Sequence, residues 1–297
     1  MPVPADPRAT LLRYLRVQSV TDAEIKALLR RAARDLAGQI EILAPESFSD
    51  SVRLAQLRIR QRAIAEALWQ GTGSATGRGK LSAIQSATKG GDIELRKLLR
   101  RIPPVARQEL LDGAARAARD AIERAVGRLA GRAVVSLSTR VYRNQQLMAG
   151  QVDRLINSAL ARGLGPREMA AEARKFILPN VPGGVSYSAL RLGRTEVNNS
   201  FHAATAAYYE DNPFVPGMKW NLSGSHPHSD ICDEYAAENH DRMGSGVFRT
   251  DNVPPKPHPQ CFCYVIPVTP DDDEIIASFE AGRYGDFLAR RGQTIAG

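Results

Sequence analysis

Residues 187–211, YSALRLGRTEVNNSFHAATAAYYED, divide the chain into two kinds of sequence. Small and apolar residues recur through them at helical spacing, and nothing breaks the run before Pro213. On the N-terminal side the pattern is helix after helix. On the C-terminal side proline, glycine, aspartate and histidine become frequent, and all three cysteines lie there. The fold expected is mainly α: an extended helical N-terminal half and a small α+β C-terminal lobe, with short strands and loops around a Cys/His cluster.

Working back toward the N-terminus, residues 7–17 place Leu11, Leu12 and Leu15 on one face, and Thr21 or Asp22 is placed to cap a second helix running to about Ala37. A third helix is expected over about 49–69. Residues 70–91, QGTGSATGRGKLSAIQSATKGG, are dominated by glycine, serine and threonine and read as a flexible connection. The GRGK within them lacks a preceding apolar strand and the glycine spacing of a phosphate loop. Helix returns at about 92–101, then over 103–132 behind Pro103 and Pro104, and over about 133–160, where Val134, Val135, Leu137, Val141, Val152 and Ile156 supply the apolar face. Gly163 to Pro166 end that segment, and a short helix follows at about 167–176. Beyond Pro213, Met218, Trp220 and Leu222 alternate with polar residues as a strand does, and 264–268 is a second β-type run. Asp271 opens a last helix reaching about Gly282. The basic, glycine-punctuated tail, 283–297, is expected to be partly mobile.

The 297 residues are 43% apolar and 6% aromatic, enough for a core but better suited to alanine- and leucine-rich helices than to a large sheet. No apolar run is long enough to cross a bilayer, and the charge-interrupted N-terminus is not that of a signal peptide, so synthesis and assembly in the cytoplasm are expected, away from membranes. The net charge of +8 is uneven: residues 1–150 carry 26 Lys+Arg against 14 Asp+Glu, a net of +12, and residues 151–297 carry 14 against 18, a net of −4. Such asymmetry suits different partners for the two halves, the basic one facing nucleic acid or an acidic protein surface, unless its arginines are simply solvated.

Chemistry concentrates in SHPHSDICDEYA (225–236) and PPKPHPQCFCYVIPV (254–268). Cys232, His258, Cys261 and Cys263 together make a Cys3His set, a normal shell for structural zinc, which would clip two segments of a loop-rich lobe. The spacing is not that of a zinc ribbon, because Tyr235 stands where a Cys-x2-Cys pair would have its second thiol. In a regular strand, moreover, Cys261 and Cys263 would point to opposite faces, leaving one as a core thiol. Buried packing of all three cysteines and a disulfide are open alternatives. His226, His228 and His240 read as loop residues, and Asp230 as a turn former.

Catalytic patterns are weaker. The His-x-Glu of zinc deaminases and the His-Glu-x-x-His of metalloproteases are absent. A cysteine with a histidine can form a nucleophile pair, but nothing in the local sequence favours one. Glu196 is expected to pair with an arginine rather than to act as acid or base.

Taken in order, LGRTEVNNSFHAA, then KWNLSGSHPHSDICDEYA, the glycine turn Gly246-Val247-Phe248, and PPKPHPQCFCYVIPV resemble the phage Mu F-like minor head protein family. The likeness covers about residues 150–268, about 40% of the chain. Many members of that family read Cys-Arg-Cys where this chain has Cys261-Phe262-Cys263, and many carry a second cysteine where it has Tyr235. The resemblance implies a Mu F-like domain at 151–268, which sits between the basic helical region at 1–150 and the helix and tail at 269–297. It implies a low-copy component of procapsid and virion, at the portal vertex or the inner capsid face, that helps head assembly or genome delivery. Portal and major capsid proteins are the partners it implies, packaged DNA being a possible nonspecific contact of the basic half. No enzymatic reaction is implied. A zinc-dependent enzyme, a toxin-like module and an internal DNA-binding head protein are the alternatives.

Overall fold

The structure is a computed structural model. It describes residues 3–4, 6–45, 50–224, 226, 229–285 and 287, with side chains described for all of these but 3, 4, 126 and 128–136. The described chain is mainly helical, with a small antiparallel sheet in its C-terminal part, as the sequence indicates. Its elements are β1 (Val3–Pro4), α1 (Pro7–Leu43), α2 (Ser51–Leu98), α3 (Pro104–Ala161), α4 (Pro166–Ile177), α5 (Val185–Glu210), β2 (Gly217–Asn221), α6 (Ile231–Ala237), β3 (Val247–Arg249), β4 (Tyr264–Thr269) and α7 (Asp272–Glu280).

The helices are longer and fewer than the sequence suggests. α1 runs without a break through Thr21 and Asp22, the expected caps. The Asp22 carboxylate takes a two-pronged bond from the Arg194 guanidinium, the shorter arm 2.6 Å, and its partner is thus a side chain of α5 rather than a free backbone N–H. The flexible connection expected at 70–91 is helix, the middle of α2. Its hydroxyls bond back to their own helix, Thr72 to the Leu68 carbonyl at 2.8 Å and Thr76 to the Thr72 carbonyl at 2.7 Å, so they satisfy themselves without breaking it. Several of its glycines are points of close approach. A Cβ on Gly71 would stand 3.0 Å from a Leu28 methyl, and one on Gly91 would stand 2.4 Å from the Tyr208 ring. The expected join near 132 lies within α3, and the side chains of Val134 and Val135 lie outside the described residues.

Two compact units are drawn from alternating segments of these long helices. One, the helical unit, comprises Gln18–Gly79 and Gly131–Glu196. The other, the mixed unit, comprises Met1–Val17, Lys80–Ala130 and Val197–Gly297. The boundary expected near residue 150 falls inside α3. Counted by unit, the charges separate cleanly. The helical unit has 19 Lys+Arg against 11 Asp+Glu, a net of +8, and the mixed unit has 21 against 21, a net of zero.

In the helical unit, Ile25, Leu29, Leu36 and Ile40 of α1 pack with Leu57, Leu68 and Trp69 of α2, Val152 and Ile156 of α3, and Met169 and Ile177 of α4. Glu196 is paired there with Arg140 at 3.1 Å, as expected. In the mixed unit the sheet order is β1-β4-β2-β3, antiparallel throughout, with Trp220 opposite Val265 and Met218 between Phe248 and Pro267. Met218, Trp220, Phe248 and Val265 form one core with Tyr208 and the three cysteines. A second gathers Leu95, Leu99, Leu110, Phe214 and Ile275. The tail begins docked, Tyr284 lying edge-on to Phe214 at 4.6 Å, and 286 and 288–297 lie outside the described residues.

Candidate metal centre

The centre is built on α6, a single short helix that the sequence reading did not find. Asp230 is its N-cap. One carboxylate oxygen accepts the Cys232 N–H at 2.7 Å, and Asp233 returns the favour by accepting the Asp230 N–H at 2.8 Å. This reciprocal box is the D-x-x-D of SDICDEY, a capping signal that was legible in the sequence. The far end of α6 is fixed by the glycine turn. Gly246 has φ of +70°, a Cβ there would meet the Ala236 carbonyl at 2.6 Å, and its N–H donates to the Glu238 carbonyl at 2.8 Å. Its own carbonyl receives the Trp220 N–H at 2.8 Å, which ties the turn to β2. Tyr235, three residues after Cys232, packs its ring on Trp220 at 5.1 Å and on Phe248 at 6.0 Å, and so belongs to the core.

Cys232 is thereby held facing the segment that precedes β4. Its sulfur lies 3.5 Å from the Cys261 sulfur and 3.6 Å from His258 Nε2. Cys232, His258 and Cys261 form a group that could hold a metal ion. Cys263, the fourth expected ligand, lies outside that group, its thiol hydrogen-bonded to Cys261. The expectation that Cys261 and Cys263 would face opposite ways does not hold, because β4 begins only at Tyr264 and the chain turns through a left-handed Gln260, φ +58°, just before. All three thiols are buried and none is in a disulfide. Burial pushes the Cys232 thiol up to about 12, while the hydrogen bond from Cys263 pulls Cys261 below the ordinary thiol range.

The surroundings orient the histidines. His258 Nδ1 stands 3.1 Å from the Pro259 carbonyl and donates to it, which turns Nε2 toward Cys232. The second Asp230 oxygen is 3.1 Å from that same Nε2, so one carboxylate touches both Cys232 and His258. His226 is more than a loop residue: its Nε2 is 2.9 Å from Asp233 and its Nδ1 is 3.9 Å from the Cys263 sulfur. The bond to Asp233 raises its pKa. His240 stacks on Phe248 at 4.9 Å, and His228 lies outside the described residues. Cys263, His226 and Asp233 stand in the order nucleophile, base and orienting acid. However, the hydrogen bond to Cys261 and burial drive the Cys263 thiol far above its ordinary range, the reverse of an activated nucleophile.

One cation completes the surroundings. The Lys256 ammonium is buried, has no hydrogen-bond partner among the described residues and lies 5.4 Å over the Trp220 ring. Burial lowers its pKa to about 8, against the pull of the three cysteines. The sequence offered Lys256 only as one residue of a proline-rich loop.

Comparison with family models, with curated proteins and with solved structures finds no match to this chain.

Proposed function

We propose that this chain is a phage minor head protein of the Mu F-like kind, a low-copy virion component at the portal vertex or inner capsid face, and that its mixed unit is clipped by a structural zinc ion. The observation that carries the reading is the convergence, in the order the family motif sets, of buried Cys232 and Cys261 and half-buried His258 around one point, with Cys263 adjoining. Zinc bonds of about 2.3 Å to sulfur and about 2.0 Å to nitrogen place tetrahedral ligands about 3.5–3.8 Å from one another. The sulfur–sulfur and sulfur–nitrogen separations of 3.5 and 3.6 Å fall in that range.

The charges also fit. Three thiolates and one divalent ion leave a single surplus negative charge, and the buried, unpartnered Lys256 is its complement. Cys232, Cys261, Cys263 and His258 would hold the ion. Bound there, zinc would supply a cross-link rather than a reactive water, since three thiolates and one imidazole fill a tetrahedral shell and leave no open position. In such a protein the helical unit, with its net charge of +8, supports contact with portal or capsid and a charge-driven contact with packaged DNA. Mass spectrometry of gradient-purified heads, with zinc quantified in the same fractions, tests the reading. The chain should be present at low copy with one zinc each, and its absence from both procapsids and mature heads would refute the assignment.

A further inference from the structure

The helical unit carries a groove that no described element fills. It runs between α1 and α2, has a volume of about 430 Å³, and is floored by Leu28, Ile64 and Leu68. Ala32, Ala63 and Ala67 line it as well, and small residues are what let a third helix settle between two others. The α2 wall continues as an apolar stripe at helical spacing, through Ala63 and Ile59 to Val52, and both Ile59 and Val52 are 65% exposed. Arg31 stands on one wall and Arg60 on the other. Arg31 is paired with Asp35, but Arg60 has no ion pair among the described residues.

We infer that this groove is the docking site for an acidic amphipathic helix of a partner protein. Two parallel ridges around an apolar floor match the shape and chemistry of a helix. The arginines match acidic residues flanking its apolar face, and the net +8 of the unit would steer such a segment in. A second copy of the chain is disfavoured, because it would bring one +8 unit against another. Duplex DNA is disfavoured because phosphates cannot fill an apolar floor. The inference stands independently of the metal centre and of the family resemblance, since none of its residues belongs to either.

The test uses the full chain and two synthetic helices of about five turns with the same leucine and alanine face, one flanked by glutamates and one by lysines. Binding is read by fluorescence anisotropy. The glutamate helix should bind at least about tenfold tighter than the lysine helix. The decisive variant is Ala63→Arg, at an exposed position where the fold tolerates it. It adds a positive charge but fills the groove, so docking predicts a loss of at least about tenfold, whereas attraction by net charge alone predicts a gain. Arg60→Glu should weaken the glutamate helix and strengthen the lysine helix. Equal binding of the two helices, or unchanged or tighter binding by Ala63→Arg, would overturn the inference. So would self-association in sedimentation that Ala63→Arg abolishes, which would make a second copy the occupant.

Discussion

The two units reach stability by different routes. In the helical unit, aliphatic and alanine faces interlock along helices many turns long, and Asp22 is paired with Arg194, although Gln18, Gln61 and Trp69 each keep a buried polar atom without a hydrogen-bond partner among the described residues. The mixed unit has a sheet of strands two to six residues long and, around α6, a lobe of turns. There the core includes three thiols, an unpartnered ammonium and the buried His202. A lobe with so little regular structure has few ways to offset the entropy of ordering its loops, and a metal cross-link is one of them. The charge follows the same division, all of the net +8 falling in the helical unit. Surface basicity and internal chemistry are thus kept in separate units.

The largest effect that could break this contrast is loss of the clip. Cys261→Ser should remove stoichiometric zinc and speed amide hydrogen exchange in β2, β4 and α6, with a local destabilisation of at least about 5 kcal/mol, because the binding free energy of a structural zinc is also folding free energy. Amides of α1 and α2 in the helical unit should keep their protection. A purified native protein with no metal, and unchanged exchange in the variant, would mean that the thiols are packing groups only.

Acid should also separate the units. His202 of α5 is buried, with Nε2 donating to the Pro254 carbonyl at 2.8 Å and its ring edge-on to Trp220 at 5.4 Å. Burial, and then the charge of Lys256, lower its pKa to about 3. A histidine whose folded pKa is depressed contributes stability that is complete above its unfolded pKa of about 6.5 and is lost as pH falls toward the folded value. On the order of 3 kcal/mol should disappear between pH 6.5 and 4. His226, raised by its bond to Asp233, works in the opposite direction. Urea unfolding followed through Trp220 should show the slope, and His202→Gln, which keeps a donor for Pro254, should flatten it. A wild-type curve already flat over that window would sink the idea.

Elements were legible where local signals and tertiary needs agree. Pro166 at the start of α4, the unbroken run of α5 and the acids opening α7 each mark their element directly. The misreadings share a cause: a small or polar residue was judged without its partner. Asp22 looks like a cap until Arg194 is beside it, and Gly91 looks like a hinge until Tyr208 lies over it. At the candidate metal centre, Cys232, His258 and Cys261, which the structure brings together, were legible because thiols and imidazole are rare in this chain. Asp230 showed its capping signal but not its contact with His258, and His226 and Lys256 showed nothing, because these roles lie in orientation and charge around the ligands, which sequence spacing does not show.

Asp230 offers a finer test of the mixed unit. Asp230→Ala removes the cap of α6, worth about 1 kcal/mol, together with the carboxylate that touches His258. Zinc affinity should fall by about 10–100-fold, the usual effect of losing a group that orients a ligand. Asp230→Asn keeps a good cap but not the charge. If the carboxylate matters through His258, the asparagine variant should keep its apo stability and still bind zinc more weakly. Matching affinities for wild type and asparagine would reduce Asp230 to a cap.

The smallest expected effect lies in the helical unit and has the opposite sign. Gly77 sits in the middle of α2, within the glycine-rich stretch, and a Cβ built on it meets nothing within 4 Å. Its backbone is helical, so the glycine contributes only extra freedom in the unfolded chain. Gly77→Ala should therefore stabilise the protein by about 0.5–1 kcal/mol, measured as a rise in the urea midpoint without a change in slope. In a flexible connection the same substitution would be neutral, since no ordered state would gain from it. Gly91→Ala, in the same helix but belonging to the mixed unit, should destabilise instead, because the Tyr208 ring occupies the space. Opposite signs at two glycines of one continuous helix would show that the stretch is ordered in both units, and identical neutral results would show that it is not.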